Sequence, residues 1–491
     1  MSKRAFSKLF LVAYAALLAA CGGGGGSGGG SIADAGIGGS GITSVGAVTA
    51  IGSITVNGVK FDTQGATVTV DDSPGAETDL QVGLVVSVTG TLNSDGVTGK
   101  ATRIAANNEL KGTVDATPTI TATGGTFTVF GQIVVVDGLT VFANATSLAD
   151  FAAGTPVEVA GFRDSSGQVR ATRVEKKAAV PATIEVSGTV SNVNNGASTF
   201  TLGSLTVNFG GAQRLNFPAS GLTNGLLVEV KSASLPSAGV LTASSVEVKS
   251  GGLGQVTGEV RLEGLLTGLA GNTPVFTFNI NGQPVSTSTA TTYSGGTSAN
   301  LANNTRVEVE GQIANGTLVA AKVKFEERDS NVKITAQVTT KSATSTTLTV
   351  FALPGVSVTT NASTVFQDNS SQNLRVFGFA NIQVNDWLEV EAAKDSTSAV
   401  TASKVVRVNT PSNSRAILQG PADSTTALPN IVILGVMGVT QTTTTYKDAS
   451  GAPISNQAAF FSQVTTNSIV KMRGQFTGSA INPVDEAQLE N

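Results

Sequence analysis

Histidine is absent from all 491 residues, and cysteine occurs once, at Cys21. Without imidazole the chain cannot build a Ser-His-Asp or Cys-His nucleophile, nor a zinc site that needs imidazole or thiolate ligands. With a single cysteine no intramolecular disulfide can form. Charge is scarce as well: 13% of residues are Asp, Glu, Lys or Arg, and 30 cations face 34 acids. A mildly acidic chain of low charge density has no electrostatic case for binding nucleic acid. Long apolar runs are missing too. Leu9 to Ala20 spans twelve residues, short of the roughly 20 that a membrane-crossing helix needs.

What the amino terminus does contain is ordered. Lys3, Arg4 and Lys8 precede the apolar run, which ends in Leu18-Ala19-Ala20-Cys21 with Gly22 behind it. A basic segment, a short apolar segment and small residues before a cleavage point make a signal peptide. The cysteine turns it into a lipobox, with cleavage before Cys21 and a diacylglycerol on its sulfur. Residues 1–20 are therefore expected to be removed and Cys21 to be the lipidation site, which leaves 27 cations against 34 acids. An ordinary secretory signal with a chance cysteine is the plainer alternative. The leader resembles that of bacterial lipoproteins, and Gly22 in place of Asp after the cysteine then implies outer-membrane retention, on either the periplasmic or the surface side. Residues 21–41 read as a tether: twelve of the twenty residues after Cys21 are glycine, and such chains are flexible coils with an r.m.s. reach on the order of 25 Å.

Beyond the tether the chain repeats. An alternating strand recurs as Val86-Ser87-Val88, Val157-Glu158-Val159, Val228-Glu229-Val230, Val307-Glu308-Val309, Leu388-Glu389-Val390 and Val470-Lys471-Met472, at spacings of 71, 71, 79, 81 and 82 residues. A second strand follows each, clearest as Ala101-Thr102-Arg103-Ile104 and Ala171-Thr172-Arg173-Val174. The period predicts six modules: 42–106, 107–178, 179–251, 252–328, 329–410 and 411–491. It is too long for solenoid repeats, so each module is expected to be a small domain. Val, Ile, Thr and Phe dominate the runs, with Gly, Asn and Asp between them, which predicts an all-β fold. Asn57-Gly58, Asp137-Gly138 and Asn281-Gly282 are hairpin signals, and Ser147 to Phe151 predicts a helical turn with a serine cap. Three strands, a short helix and two strands fit an OB-like β-barrel, with a β-sandwich as the alternative. Closure favours the barrel because it removes exposed edges. Small modules with short junctions are expected to pack end to end into a semi-rigid rod or curved string, the first two most tightly.

Gly36-Ile37-Gly38-Gly39-Ser40-Gly41, the stretch from Gly52-Ser53-Ile54-Thr55-Val56-Asn57-Gly58 to Asp62, and the Ala-Thr-Arg-Ile strand resemble the β-module family known as domain of unknown function 5666. The match is good over residues 36–177 and fades through the later modules. The resemblance implies tandem β modules and an envelope location, and it brings no catalytic residues.

The remaining site candidates are weak. Asp71, Asp72, Glu77 and Asp79 form the densest acidic cluster, and calcium takes six to eight oxygens, but Ser73-Pro74-Gly75 says turn and no known loop spacing is present. Glu158, Glu229, Glu308 and Glu389 recur at one strand position. They are expected on a solvent face, where Arg173, Lys322 and Lys404 can pair with Glu158, Glu308 and Glu389. Trp387 stands where other modules have Val85, Pro156, Leu227, Arg306 and Ile469, which predicts a half-exposed ring with a packing role, a sugar platform being the alternative. Phe127, Phe130, Phe276 and Phe278 are expected in the core. No cofactor is implied. The expectation is a lipid-anchored envelope protein with a structural or interaction role. A carbohydrate- or polymer-binding array is the alternative, and a carboxylate-only glycoside hydrolase a distant third. Its partners are the membrane, through the anchor, and an envelope protein or polysaccharide. Metabolic labelling with a palmitate analogue should mark the wild-type chain and leave Cys21→Ala unmarked; label on the variant would remove the anchor.

Overall fold

The computed structural model describes residues 40–490 apart from 122–123, 250–251, 255, 327–330, 352–354, 395–398 and 412–413. Cys21, the leader and nearly all of the tether lie outside the described residues. The described residues form one compact unit.

The first module shows how each ring closes. Its first strand, Ser40–Ala50, pairs antiparallel with Ile54–Val56, which pairs with Val59–Asp62. The third strand then meets the fifth, Thr98–Ala106, in parallel (Lys60↔Thr98). The fifth pairs with the fourth, Val85–Leu92, and the fourth returns to the first. Five strands in the order 1-2-3-5-4-1, with a 3-10 turn at Glu77–Asp79 before the fourth, make an OB-like barrel. The same ring recurs five more times, closed by bridges Val114↔Val129 in the second barrel and Ala422↔Ile433 in the sixth. The fifth strand carries a β-bulge at Thr102, Thr172, Ala321 and Asp485, and the fourth strand places Gly90, Gly161, Gly311 and Gly474 beside it. A Cβ on Gly90 would stand 2.1 Å from the Lys100 carbonyl oxygen, so only glycine lets the two backbones approach and the strand bend.

Two local expectations change. Asn57-Gly58 and Asn281-Gly282 turn their hairpins with positive φ at both residues, whereas Asp137 ends a strand and the second barrel turns at Phe130-Gly131 (φ 50° and 74°). The turn Leu148–Asp150 is a 3-10 turn whose serine makes no side-chain cap. Instead the Asp150 carboxylate accepts from the backbone N–H groups of Thr146 and Ser147.

Alternation of buried and half-buried residues fills each ring, as in Gly124–Val129. Phe127, Phe130, Phe276 and Phe278 are buried as expected. The barrels do not form the expected end-to-end rod. The first strand of the first barrel pairs in parallel with the first strand of the fourth, Glu259–Asn272 (Ile42↔Glu259 to Val45↔Leu262). The second and third barrels join through Leu110–Thr113 and Ile184–Asn194, and the fifth and sixth through Val332–Lys341 and Arg415–Pro421. In these last two pairs one apolar cluster runs through both barrels. Lateral strand pairing satisfies backbone groups that a rod of separate beads would leave to water. Phe61 is fully buried in the first barrel. Phe61→Ala should cost about 3–5 kcal/mol, read as a lower denaturant midpoint; a loss under about 1 kcal/mol would contradict this core.

Candidate functional site

The richest set of polar side chains lies where the first three barrels meet. Antiparallel register lines up a row of charges across neighbouring strands: Glu175 faces Glu158, Glu158 faces Lys111, Lys111 faces Glu185, and Glu185 faces Lys231. Onto this row the first barrel sets the hairpin Thr67–Val70 and Ser73–Gly75. The two turn residues, Asp71 and Asp72, are both left-handed (φ 49° and 63°), where Asn-Gly is the usual choice.

Both aspartates take lysines from the row. Asp71 accepts from Lys111 Nζ at 2.9 Å and from the Asn108 backbone N–H at 2.9 Å. Asp72 accepts from Lys231 Nζ at 2.8 Å, and Lys231 also donates to the Asp71 carbonyl. Burial alone would raise Asp72, but the Lys231 hydrogen bond and the Lys249 charge hold its carboxyl below the usual value. Lys249 sits 3.0 Å from Glu229 and 2.8 Å from Glu247. Glu185 differs from all of these. It is fully buried, and neither carboxyl oxygen has a hydrogen-bond partner. Burial first, then the charges of Glu229 and Asp71, push it up to about 9. A cavity of about 540 Å³ opens beside it, lined also by Arg173 and Lys177.

The four acids of the candidate calcium loop go different ways. Asp71 and Asp72 meet lysines, and Asp79 accepts from the Ala76 N–H. At Glu77 it is the backbone carbonyl that engages a neighbour, accepting from Arg375 of the fifth barrel. Among the described residues, three carboxylates come within 4.8 Å of one another only at Asp72, Glu229 and Glu247, and the Lys231 and Lys249 ammoniums already bridge them.

The recurring glutamates are not one solvent face. Glu229 and Glu308 are each 3% exposed, while Glu389 is exposed. Their partners lie further along the fifth strand than expected, by four residues for Glu158 and two for Glu308. Glu158 pairs with Lys177 at 3.1 Å and Glu308 with Lys324 at 3.5 Å, while Lys322 pairs with Glu310 and Arg173 with Glu175. Strand register explains the offset, because Glu308 faces Lys324 and Glu310 faces Lys322. Burial drives the Glu308 carboxyl up to about 7, against the opposing charge of Lys324. Trp387 is 7% exposed rather than half-exposed, so it presents no open ring face to a sugar.

Sequence reasoning missed how many basic side chains reach from one barrel to another's backbone. Arg173 donates to the Val82 carbonyl, Lys404 to the Thr140 carbonyl at 2.6 Å, and Arg375 to the Leu80 carbonyl at 2.8 Å. Arg173 and Lys404 occupy one position of the fifth-strand repeat, a signal visible in the chain but read there as cross-strand pairing. Glu263 pairs with Arg306 and accepts from the Ala47 N–H of the first barrel at 2.8 Å.

Six rings of one strand order, held together by polar side chains, define a tandem array of OB-like barrels. The sequence profile of the domain of unknown function (DUF5666) matches residues 42–105, 111–175, 187–247, 263–324 and 335–406. The chain belongs to that family. The sixth barrel, beyond those matches, has the same ring. No curated protein matches. Among solved structures, one described as drosophila Unr CSD456 is 14% identical, with 45% of this chain and 96% of that chain covered, at a TM-score of 0.12.

One ion pair of the fifth barrel gives a pH dependence. Burial alone would raise Asp368, but hydrogen bonds from Arg407, Ser370 and Leu374 bring it down to about 2. Its contribution is present above the ordinary value of 3.8 and lost as pH falls through about 2. Asp368→Asn should lower the melting temperature at neutral pH and flatten the acid limb of the stability profile; an unchanged acid limb would show that the pair is not its source.

Proposed function

We propose that this protein is a lipid-anchored component of a bacterial envelope whose role is structural or interactive, with no chemistry of its own. The observation that carries this reading is the use of its polar side chains. Asp71, Asp72, Glu263, Arg173, Arg375 and Lys404, the groups with most chemical potential, hold barrel against barrel. The leader, with Cys21 as the acylated residue, ties the array to the outer membrane and the glycine tether lets it stand off the lipid. Closed barrels suit such a role because they expose no long strand edge to unwanted pairing.

Two measurements test the reading. A glycan array probed with the full-length chain in detergent should stay at background, and crosslinking in intact cells should give discrete protein adducts. Reproducible glycan binding without adducts would overturn it in favour of a polymer-binding array.

A further inference from the structure

Glu185 poses a physical problem. It lies within the charge row, on the first strand of the third barrel, directly opposite Lys111 on one side and Lys231 on the other. Directly opposed residues of an antiparallel pair have Cβ atoms about 4.5–5.5 Å apart, so both lysines are its natural partners. Neither donates to it. Lys111 is turned to Asp71, and Lys231 to Asp72, the Asp71 carbonyl and the Glu229 carboxylate at 3.1 Å. A buried carboxyl left without a partner is costly, and it keeps its proton when it cannot be paired. The turn that takes the lysines is itself strained, with two consecutive aspartates in the left-handed region.

We propose that the Asp71-Asp72 turn of the first barrel and Glu185 of the third compete for Lys111 and Lys231, so that this hairpin is a pH-sensitive latch on the second and third barrels. With the latch closed, Glu185 is protonated and neutral and both lysines serve the turn. When Glu185 loses its proton, the anion draws Lys111 and Lys231 back into the row. Asp71 and Asp72 then lose their cations and the hairpin lifts. The barrel itself stays docked, because Arg173 still holds the Val82 carbonyl and Thr172 the Gly83 carbonyl.

Every charged neighbour enters the balance. Lys111 and Lys231 favour the Glu185 anion, whereas Glu229 on the strand of Lys231 and Asp71 from the turn oppose it. Glu158 lies on the far side of Lys111, and Lys249 engages Glu229 beyond Lys231. The direction follows from the raised carboxyl. A group that binds its proton more tightly in the closed state stabilises that state at low pH, and the effect fades as pH rises through about 9.

The Asn108 N–H reports the latch directly, since it donates to the Asp71 carboxylate. Hydrogen exchange on the full-length chain in detergent, corrected for the intrinsic rate, would compare about pH 6 with about pH 9.5. Protection of residues 106–110 should fall about tenfold or more in the wild type and stay level in Glu185→Gln, which mimics the protonated acid. The double variant Asp71→Asn, Asp72→Asn should lack the protection already at the lower pH. If Glu185→Gln fails to melt cooperatively, Glu185→Met takes its place with the same expectation. Level protection in the wild type, or an equal fall in wild type and the Glu185 variant, would overturn the latch.

Discussion

The parallel pairing of the third strand with the fifth is the constraint on which the rest of this molecule depends. In the first barrel it brings Lys60 beside Thr98 and shuts a five-stranded ring that a simple meander would leave open. Once the ring is shut, its interior fills with Val, Ile, Leu and Phe, and its strands bend where a glycine of the fourth strand faces a bulge in the fifth. Each barrel is then too small to bury much apolar surface alone. The structure answers by joining barrels laterally, so that two pairs share one apolar cluster and a third pair is joined by parallel strands far apart in the chain.

Charge serves the same end. With few ionisable residues to spend, the chain places them where barrels touch, and several basic side chains terminate on the carbonyl oxygens of another barrel. A cation on a carbonyl stabilises a junction without requiring a buried acid in return. Where acids are buried, most meet a lysine or arginine. Glu185 is the departure from that pattern, and its isolation follows from two aspartates that claim the cations on either side of it.

Much of the module was legible in the chain because it rests on short-range rules. The Val-Glu-Val and Ala-Thr-Arg-Val strands, the hairpins at Asn57-Gly58 and Asn281-Gly282, and the buried phenylalanines follow from period and turn chemistry. Other features escaped. Phe130-Gly131 turns a hairpin although phenylalanine carries no turn signal. The partners of Glu158 and Glu308 shifted by four and two residues because register is set by pairing across the ring. Trp387 is buried by its surroundings, which substitution patterns between modules do not report.

By itself the sequence determined the repeated all-β module and the exclusion of histidine- and disulfide-based chemistry, and it favoured a barrel over a sandwich. These depend on composition and on contacts within some tens of residues. Only the tertiary structure decided which barrels join, which lysine each carboxylate meets and which carboxyl is left alone. Those outcomes turn on surfaces hundreds of residues apart in the chain, as with Glu263 and Ala47, and no local pattern encodes which of several similar barrels will share a sheet.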